Sequence, residues 1–243
     1  MLIEEKKRLM AINRDFYRHF ASEFAATRAG FWLGWERLLP LVRACGRAGV
    51  AARVLDVAAG NLRFKKFLDE KVVQYSNYLG IDGEVSLLRS STEPERFWSQ
   101  VDILAELAAG RDWREVGEHD FVICSAFLHH VPGQDWREKI LSDLVELVAE
   151  GGYLVVTWWR FLAGPKIARK LIQDLGEGDY LLSWQNDQQH PRYCHNFSES
   201  EIKEIKQLML NKGLVLCDEF FADGETGSDN HYLVWQKKTS DLV

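Results

Sequence analysis

Apolar residues recur at spacings of three and four through residues 4–26, where Leu9, Ile12, Phe16, Phe20 and Phe24 form one stripe. That period matches an α-helix and predicts a long amphipathic one. A second helical stretch is predicted over 32–47. Beyond it the pattern changes to short apolar runs separated by helix-like segments. Runs at 53–57, 77–81, 100–103, 120–125 and 152–159 read as strands. Between the last two, Ile140, Leu141, Leu144, Leu147 and Val148 predict a helix that stops at Gly151-Gly152. Ser198 and Glu201 have the spacing of a capping box, with Ile202, Ile205 and Leu208 on the helix it opens. Runs at 214–217 and 231–235 predict two closing strands.

Strands alternating with helices imply an α/β fold, a mainly parallel sheet with helices on both faces. The 243 residues suit one domain with additions. We divide them into an N-terminal helical extension at 1–50 and a body at 51–243, with an inserted segment at about 161–197. There is no internal repeat and no low-complexity tract. A hydrophobic share of 47% and a charged share of 27% exclude a disordered chain and a disulfide-dense miniprotein. Charge at the N-terminus argues against a signal peptide, and no apolar run is long enough for a membrane partner. The four cysteines are scattered without a Cys-x-x-Cys pair, which fits a reducing, cytoplasmic location.

A net charge of -6 argues against a nucleic-acid partner until it is divided along the chain. Residues 1–70 hold 13 Lys/Arg and 8 Asp/Glu, whereas the rest holds 17 and 28. A basic piece is joined to an acidic body. It is either a solvated helix surface or a surface for an anionic ligand.

In an open parallel sheet, ligands sit beyond the carboxyl ends of the strands. After the first strand comes Asp56-Val-Ala-Ala-Gly60-Asn, a small-residue turn whose backbone can approach a ligand. After the second comes Asp82-Gly83, where a carboxylate can accept from both hydroxyls of a ribose. Read alone, either carboxylate could instead cap a helix or pair with a base.

Taken in order, Val54-Leu-Asp-Val-Ala-Ala-Gly-Asn, Leu79-Gly-Ile-Asp-Gly, Val101-Asp-Ile, Phe121-Val-Ile-Cys-Ser-Ala-Phe-Leu-His-His-Val-Pro and Glu150-Gly-Gly-Tyr-Leu-Val-Val resemble the ordered motifs of class I S-adenosylmethionine-dependent methyltransferases. The resemblance implies a Rossmann-like, seven-stranded, mainly parallel sheet with S-adenosyl-L-methionine as cofactor. It places Asp56, Ala58 and Gly60 beside the methionine part of the cofactor. Asp82, with Gly83, would hold the ribose, and Asp102 and Ile103 the adenine. Ser125 and Phe127 would stand beside the transferred methyl. The sequence departs from the family loop, Asp-x-Gly-x-Gly-x-Gly, at Ala58 and Leu62. A leucine at the third glycine site is expected to hold the next helix further from the sheet. These departures keep a non-catalytic binding module that has lost the cofactor as one alternative.

Absences narrow the chemistry. The run after the fourth strand, Cys124-Ser-Ala-Phe, lacks the Asn/Asp-Pro-Pro-Tyr/Phe pattern of amino-group methylation, and Cys124 does not match a C5-pyrimidine nucleophile. No carboxylate cluster for a metal is evident, so the expected metal set is none. The flanks resemble the tRNA wobble-uridine methyltransferases, which esterify a 5-carboxymethyluridine. The matching stretches are Asp15-Phe-Tyr-Arg-His-Phe-Ala-Ser-Glu-Phe-Ala-Ala-Thr-Arg with Trp32, Val156-Thr-Trp, Arg192-Tyr-Cys-His-Asn-Phe and Asp229-Asn-His-Tyr. The resemblance implies a tRNA substrate and, for the eukaryotic enzymes, a small zinc-containing protein partner. A small-molecule carboxylate or hydroxyl is the other acceptor class. An ionised carboxylate needs no general base, so the site needs cations instead. Arg28, Arg160, Arg192 and His195 are the candidates, and Lys166, Arg169 and Lys170 lie near them in sequence. His129 and His130 read as one packed residue and one that touches substrate. Trp158, Trp159 and Trp184 read as base-stacking or core residues.

Overall fold

The computed structural model describes residues 1–27, 30–46, 49–163, 170–185 and 187–239. The chain begins with α1 (Ile3–Ala26), a 3-10 turn at Leu33–Leu38 and α2 (Leu39–Ala44). It continues through β1 (Ala52–Val57), α3 (Arg63–Glu70), β2 (Tyr75–Asp82), α4 (Val85–Ser90), β3 (Trp98–Gln100) and α5 (Ile103–Ala108). Next come β4 (His119–Ser125), a 3-10 turn at Leu128–His130, α6 (Gln134–Glu146) and β5 (Val148–Trp159). β6 (Leu171–Gly176), β7 (Asp179–Trp184) and β8 (Asp187–His195) follow, then α7 (Glu199–Asn211), β9 (Leu214–Ala222) and β10 (Asn230–Lys237).

Seven strands form one sheet in the order β3-β2-β1-β4-β5-β10-β9. Only β10 runs against its neighbours. Alternation along the strands divides the core between the two faces. Val122 and Cys124 of β4 join Leu154 and Val156 of β5 under α6 and α7. Phe121 and Ile123 point the other way, to Val54, Phe64 and Leu68 beside α2 and α3. The strand order reverses at β1 and β4, so their carboxyl ends open the crevice where such sheets bind ligands.

The structure moves several predicted boundaries. The second helix is a 3-10 turn before it is α, and it ends at Ala44 rather than 47. Pro40 lies in the first α turn and has no N–H to continue an upstream ladder. The third strand ends at Gln100, because the Asp102 carboxylate accepts from Ala105 N–H and starts α5. Helix α6 stops at Glu146, before the glycines. His119 N–H bonds to Leu147 O, and Val148 already pairs with His119 across the sheet. The capping box at Ser198 and Glu201 forms as expected.

A separate antiparallel sheet, β6-β7-β8, lies between β5 and α7 in sequence. Helix α1 packs on β8, with Leu9 buried against Leu181 and Tyr193. Asn13 fastens the contact. Its Nδ2 donates to His130 O at 3.3 Å, and its Oδ1 accepts from Tyr193 N–H at 2.8 Å. Helix α1 thereby spans the open end of the large sheet.

Candidate functional site

A cavity of about 1070 Å³ opens beyond the carboxyl ends of β1, β2, β4 and β5, beneath α1. Asp56, Ala58, Gly60, Asp82, Gly83, Asp102, Ile103, Ser125 and Phe127 all line it. The loop after β1 has φ of 58° at Ala58, 55° at Gly60 and 56° at Leu62. These left-handed angles are the reason glycine is usual there. Alanine and leucine adopt them in this chain, so the turn follows a glycine loop's path. A β-carbon added to Gly60 would meet nothing within 4 Å, so that backbone stands open. The Leu62 side chain is fully buried over Gly80 and is absent from the cavity wall.

Two carboxylates at the strand ends are held in fixed geometry. Asp56 is 3% exposed and accepts from Tyr78 Oη at 2.7 Å. Burial pushes its pKa up to about 7, against the opposing Tyr78 hydrogen bond. Asp82 accepts from Gly60 N–H and Glu84 N–H, each at 2.8 Å. Burial carries its pKa up to about 6, although those two bonds favour the ionised form. Asp102 accepts from Arg14 Nη2 at 2.8 Å, which ties α1 to the start of α5.

Another wall is aromatic and cationic. It contains Tyr17, His129, His130, Trp159, Lys170, Trp184 and Arg192. Trp159 has Arg192 5.2 Å and Lys170 5.3 Å from its ring centre. Arg192 is 5% exposed and also lies 5.3 Å from the Phe16 ring. Its Nε is buried without a hydrogen-bond partner, as are Ser125 Oγ and Trp35 Nε1. All three residues line the cavity, which is where polar ligands satisfy such atoms. His130 donates from Nδ1 to Tyr193 O at 2.9 Å and accepts at Nε2 from Tyr17 Oη at 3.0 Å. Trp159 N–H donates to His129 Nδ1 at 3.3 Å. Among the described residues these histidines and Cys194 form a compact cluster, already engaged in hydrogen bonds.

The fold as a whole is similar to that of solved structures. The chain is similar to an S-adenosylmethionine-dependent methyltransferase from Clostridium acetobutylicum ATCC 824. The two are 12% identical with a TM-score of 0.60, covering 92% of this chain and 99% of that one. This is the class I S-adenosylmethionine-dependent methyltransferase fold. A chain in a complex of the Haloferax volcanii Trm112 methyltransferase activator with a provisionally assigned methyltransferase shares the fold. It is 10% identical, with a TM-score of 0.61 over 95% of this chain and 100% of that one. In sequence, the chain is 28% identical over 199 residues to an Encephalitozoon cuniculi (strain GB-M1) protein whose methyltransferase designation is provisional. That match covers 78% of this chain and 82% of the relative. No protein-family model matches. The solved structures show the fold, and the designation of the relative is that of a methyltransferase.

Within the methyltransferase fold the four expected cations part company. Arg192 lines the cavity. Arg160 is not in the wall; it donates to Ser228 O at 3.1 Å and stacks over Phe221 at 4.1 Å. His195 is not in the wall either. It is 1% exposed, bonded to Asp179 Oδ1 at 2.7 Å and Glu201 Oε1 at 2.8 Å. It braces β8 against β7 and the start of α7. Arg28 lies outside the described residues, as do Lys166 and Arg169. Trp158 is a core residue, whereas Trp159 and Trp184 line the cavity. Sequence reading missed Arg63, Trp35 and Asp223, which also line it. Nothing in their spacing announces them.

The charge division has a structural counterpart. Lys6, Arg14, Arg37 and Arg53 from the basic piece pair with Asp135, Asp102, Asp218 and Asp120 of the acidic body. Much of the N-terminal excess thus serves as internal fastening. No helix among the described residues is long and apolar enough to cross a membrane.

Proposed function

We propose that the protein transfers the methyl group of S-adenosylmethionine to an oxygen acceptor, in the favoured case the carboxymethyl group of a tRNA wobble uridine. The observation that carries the anionic acceptor is Arg192, a buried cation at the cavity wall with an unpartnered Nε. The cofactor fits the opposite side. The open backbone at Gly60 allows close approach, and Asp56 and Asp82 suit a cation and hydroxyl donors. Asp102 and Ile103 would border the adenine, and Ser125 and Phe127 the reacting end. Bound there, S-adenosylmethionine supplies an electrophilic methyl on a positively charged sulfur.

The chain's own part is binding and alignment. A carboxylate with a pKa near ~4 is ionised at neutral pH, so no residue must remove a proton from it. Arg192 orients that carboxylate with a planar fork of donors, and Lys170 adds positive charge beside it. Trp159 and Trp184 present ring faces for a planar base. Helix α1 covers the cavity and limits water, and alignment of the reactants supplies much of the rate. Residues 1–50 then act as an accessory cover and 161–197 as the segment shaping the acceptor site, in a cytoplasmic enzyme. Mass spectrometry of tRNA nucleosides from cells with and without the gene tests this. Loss of a uridine methyl ester is expected, and an unchanged nucleoside profile refutes the tRNA substrate.

The paired N-terminal bases favour a second reading, a small-molecule carboxylate as acceptor. Salt titration of tRNA binding separates the two, because phosphate contacts weaken steeply with salt. The non-catalytic alternative gains nothing, since Ala58 and Leu62 hold glycine-like angles and Leu62 stays out of the cavity. The Haloferax volcanii complex supports a small activating protein as partner, to be sought by co-purification from the native host.

A further inference from the structure

Two imidazoles meet where α1 packs on β8. His19 of α1 and His190 of β8 stack at 3.7 Å between ring centres, with their planes 10° apart. Asp187 opens β8 beside them, and its Oδ2 accepts from His190 Nδ1 at 3.1 Å. Its Oδ1 accepts from Gln189 N–H at 2.6 Å and from His190 N–H at 3.1 Å. The backbone thus holds the carboxylate through one oxygen and leaves the other to the ring. Among the described residues, the His19 ring nitrogens and His190 Nε2 have no hydrogen-bond partner.

Two imidazoles and a carboxylate are a ligand set for a transition metal. One ligand atom from each of the three residues lies within 4.8 Å of the other two. A tetrahedral zinc ion holds such donors at about 2.0–2.1 Å, which sets them about 3.3 Å apart. His190 Nδ1 and Asp187 Oδ2 are already 3.1 Å apart, so an ion displaces the proton between them to solvent with little movement. His19 is exposed, and a turn of its ring tilts a lone pair out of the stack toward the other two. His129, His130 and Cys194 form another trio, but they are buried, and His130 is bound at both nitrogens, to Tyr193 O and Tyr17 Oη. Asp187 and His190 are half-buried, so an ion can enter beside His19 and a water can take the fourth position. Sequence reading expected no metal, because His19 lies far along the chain from its two partners.

We propose that His19, Asp187 and His190 bind a divalent zinc-class ion that clasps α1 to the β7–β8 hairpin. The consequence reaches the cavity. The Phe20 ring lies 5.8 Å from the His190 ring and 4.9 Å from the Trp184 ring, and Trp184 lines the cavity. Joining the two imidazoles therefore fixes both the helix that covers the cavity and an aromatic ring of its wall. The clasp does not depend on which acceptor the cavity takes.

Titration of the chelator-treated full chain with zinc tests it. One ion per chain is expected, with a Kd of about a micromolar or tighter, and zinc in excess should raise Tm by several degrees. His19→Ala and His190→Gln should each weaken zinc binding by at least about tenfold. His19 is exposed, so His19→Ala should keep the metal-free Tm of the wild type while losing the rise with zinc. Cys194→Ser should leave zinc affinity within about threefold. Cobalt in place of zinc should show a visible spectrum without a thiolate charge-transfer band. Absence of saturable zinc binding in the wild type overturns the site. Full affinity in His19→Ala overturns it too, because the ion then does not join α1 to the hairpin. A thiolate band with cobalt, or loss of zinc in Cys194→Ser alone, puts the metal at the buried trio and overturns it as well.

Discussion

Leu62 and Gly80 are packed as a pair, the leucine filling the space that a β-carbon on Gly80 would need. Leu62 sits where the family loop carries glycine, at φ 56°. Sequence reading expected the bulk to displace α3 from the sheet. The structure places the side chain over Gly80 of β2. The left-handed backbone costs about 1–2 kcal/mol for a non-glycine residue, and the buried side chain offsets that.

A double-mutant cycle measures the coupling. Gly80→Ala should destabilise by about 1–3 kcal/mol through overpacking, and Leu62→Ala by about 2–5 kcal/mol through lost burial. Together they should cost less than the sum by at least about 0.5 kcal/mol. Urea denaturation reads all four proteins, and strict additivity would sink the pairing.

The proposed cofactor role of the strand-end carboxylates predicts an affinity that depends on pH. Burial, opposed by partner hydrogen bonds, sets Asp56 near about 7 and Asp82 near about 6. Their ionised forms are the ones that receive a cation and hydroxyl donors. Affinity for S-adenosylmethionine should therefore fall as pH drops from 8 through 7 to 5, whereas Asp56→Asn should lose the upper part of the slope. Titration calorimetry across that range checks it. A flat wild-type profile would show that neither carboxylate meets the cofactor.

The large sheet and the residues that line the cavity after its strands were readable because both are local. Apolar runs mark β1, β2, β4 and β5, and Asp56, Gly60, Asp82 and Asp102 follow strands within a few residues. The small sheet was not readable: β8 is Asp-Gln-Gln-His-Pro-Arg-Tyr-Cys-His, too polar to show a strand period. The acceptor cations mislead for the same reason. Whether Arg192, Arg160 or His195 reaches the cavity depends on how β8 and β10 pack, which spacing does not encode. The one local hint was Glu201: a capping box beside His195 places a carboxylate next to the imidazole.

Asn13 should be among the most sensitive polar positions outside the cofactor loop. It satisfies Tyr193 N–H and His130 O at once, joining α1, β8 and the turn after β4. Asn13→Ala leaves both buried groups unpaired, at about 1–3 kcal/mol each. Calorimetry should show a Tm lower by several degrees. An unchanged Tm would mean that water replaces the amide.

His195 links stability to pH. Burial opposes its charge, but the hydrogen bonds to Asp179 and Glu201 outweigh that and raise its pKa. Glu201 is correspondingly lowered to about 2 despite its own burial, by the bond from His195. A raised histidine pKa stabilises the fold fully below the unfolded value of about 6.5, and the contribution is lost as pH rises through the folded value. The His195 contribution should therefore decline as pH rises above about 6.5, over a range in which Asp56 also titrates. His195→Asn should lose that decline and be weaker by about 3–5 kcal/mol at pH 6, with two carboxylates left facing each other. Parallel pH slopes in variant and wild type would exclude a charged His195.

Arg192 and Arg160 give the sharpest separation of acceptor binding from bracing, because both lie close to Trp159. Arg192 stands at the cavity wall with an unpartnered Nε, while Arg160 is spent on Ser228 O and the Phe221 ring. Arg192→Met keeps the stem that packs between Phe16 and Trp159 and removes the charge. It should lower kcat/KM for an anionic acceptor by about 10–100-fold, with S-adenosylhomocysteine affinity unchanged. Arg192→Lys should recover part of the loss, since charge returns without the planar fork. Arg160→Met should shift Tm and leave kcat/KM within about threefold. If Arg160→Met instead carries the kinetic loss and Arg192→Met does not, the acceptor lies on the other side of Trp159.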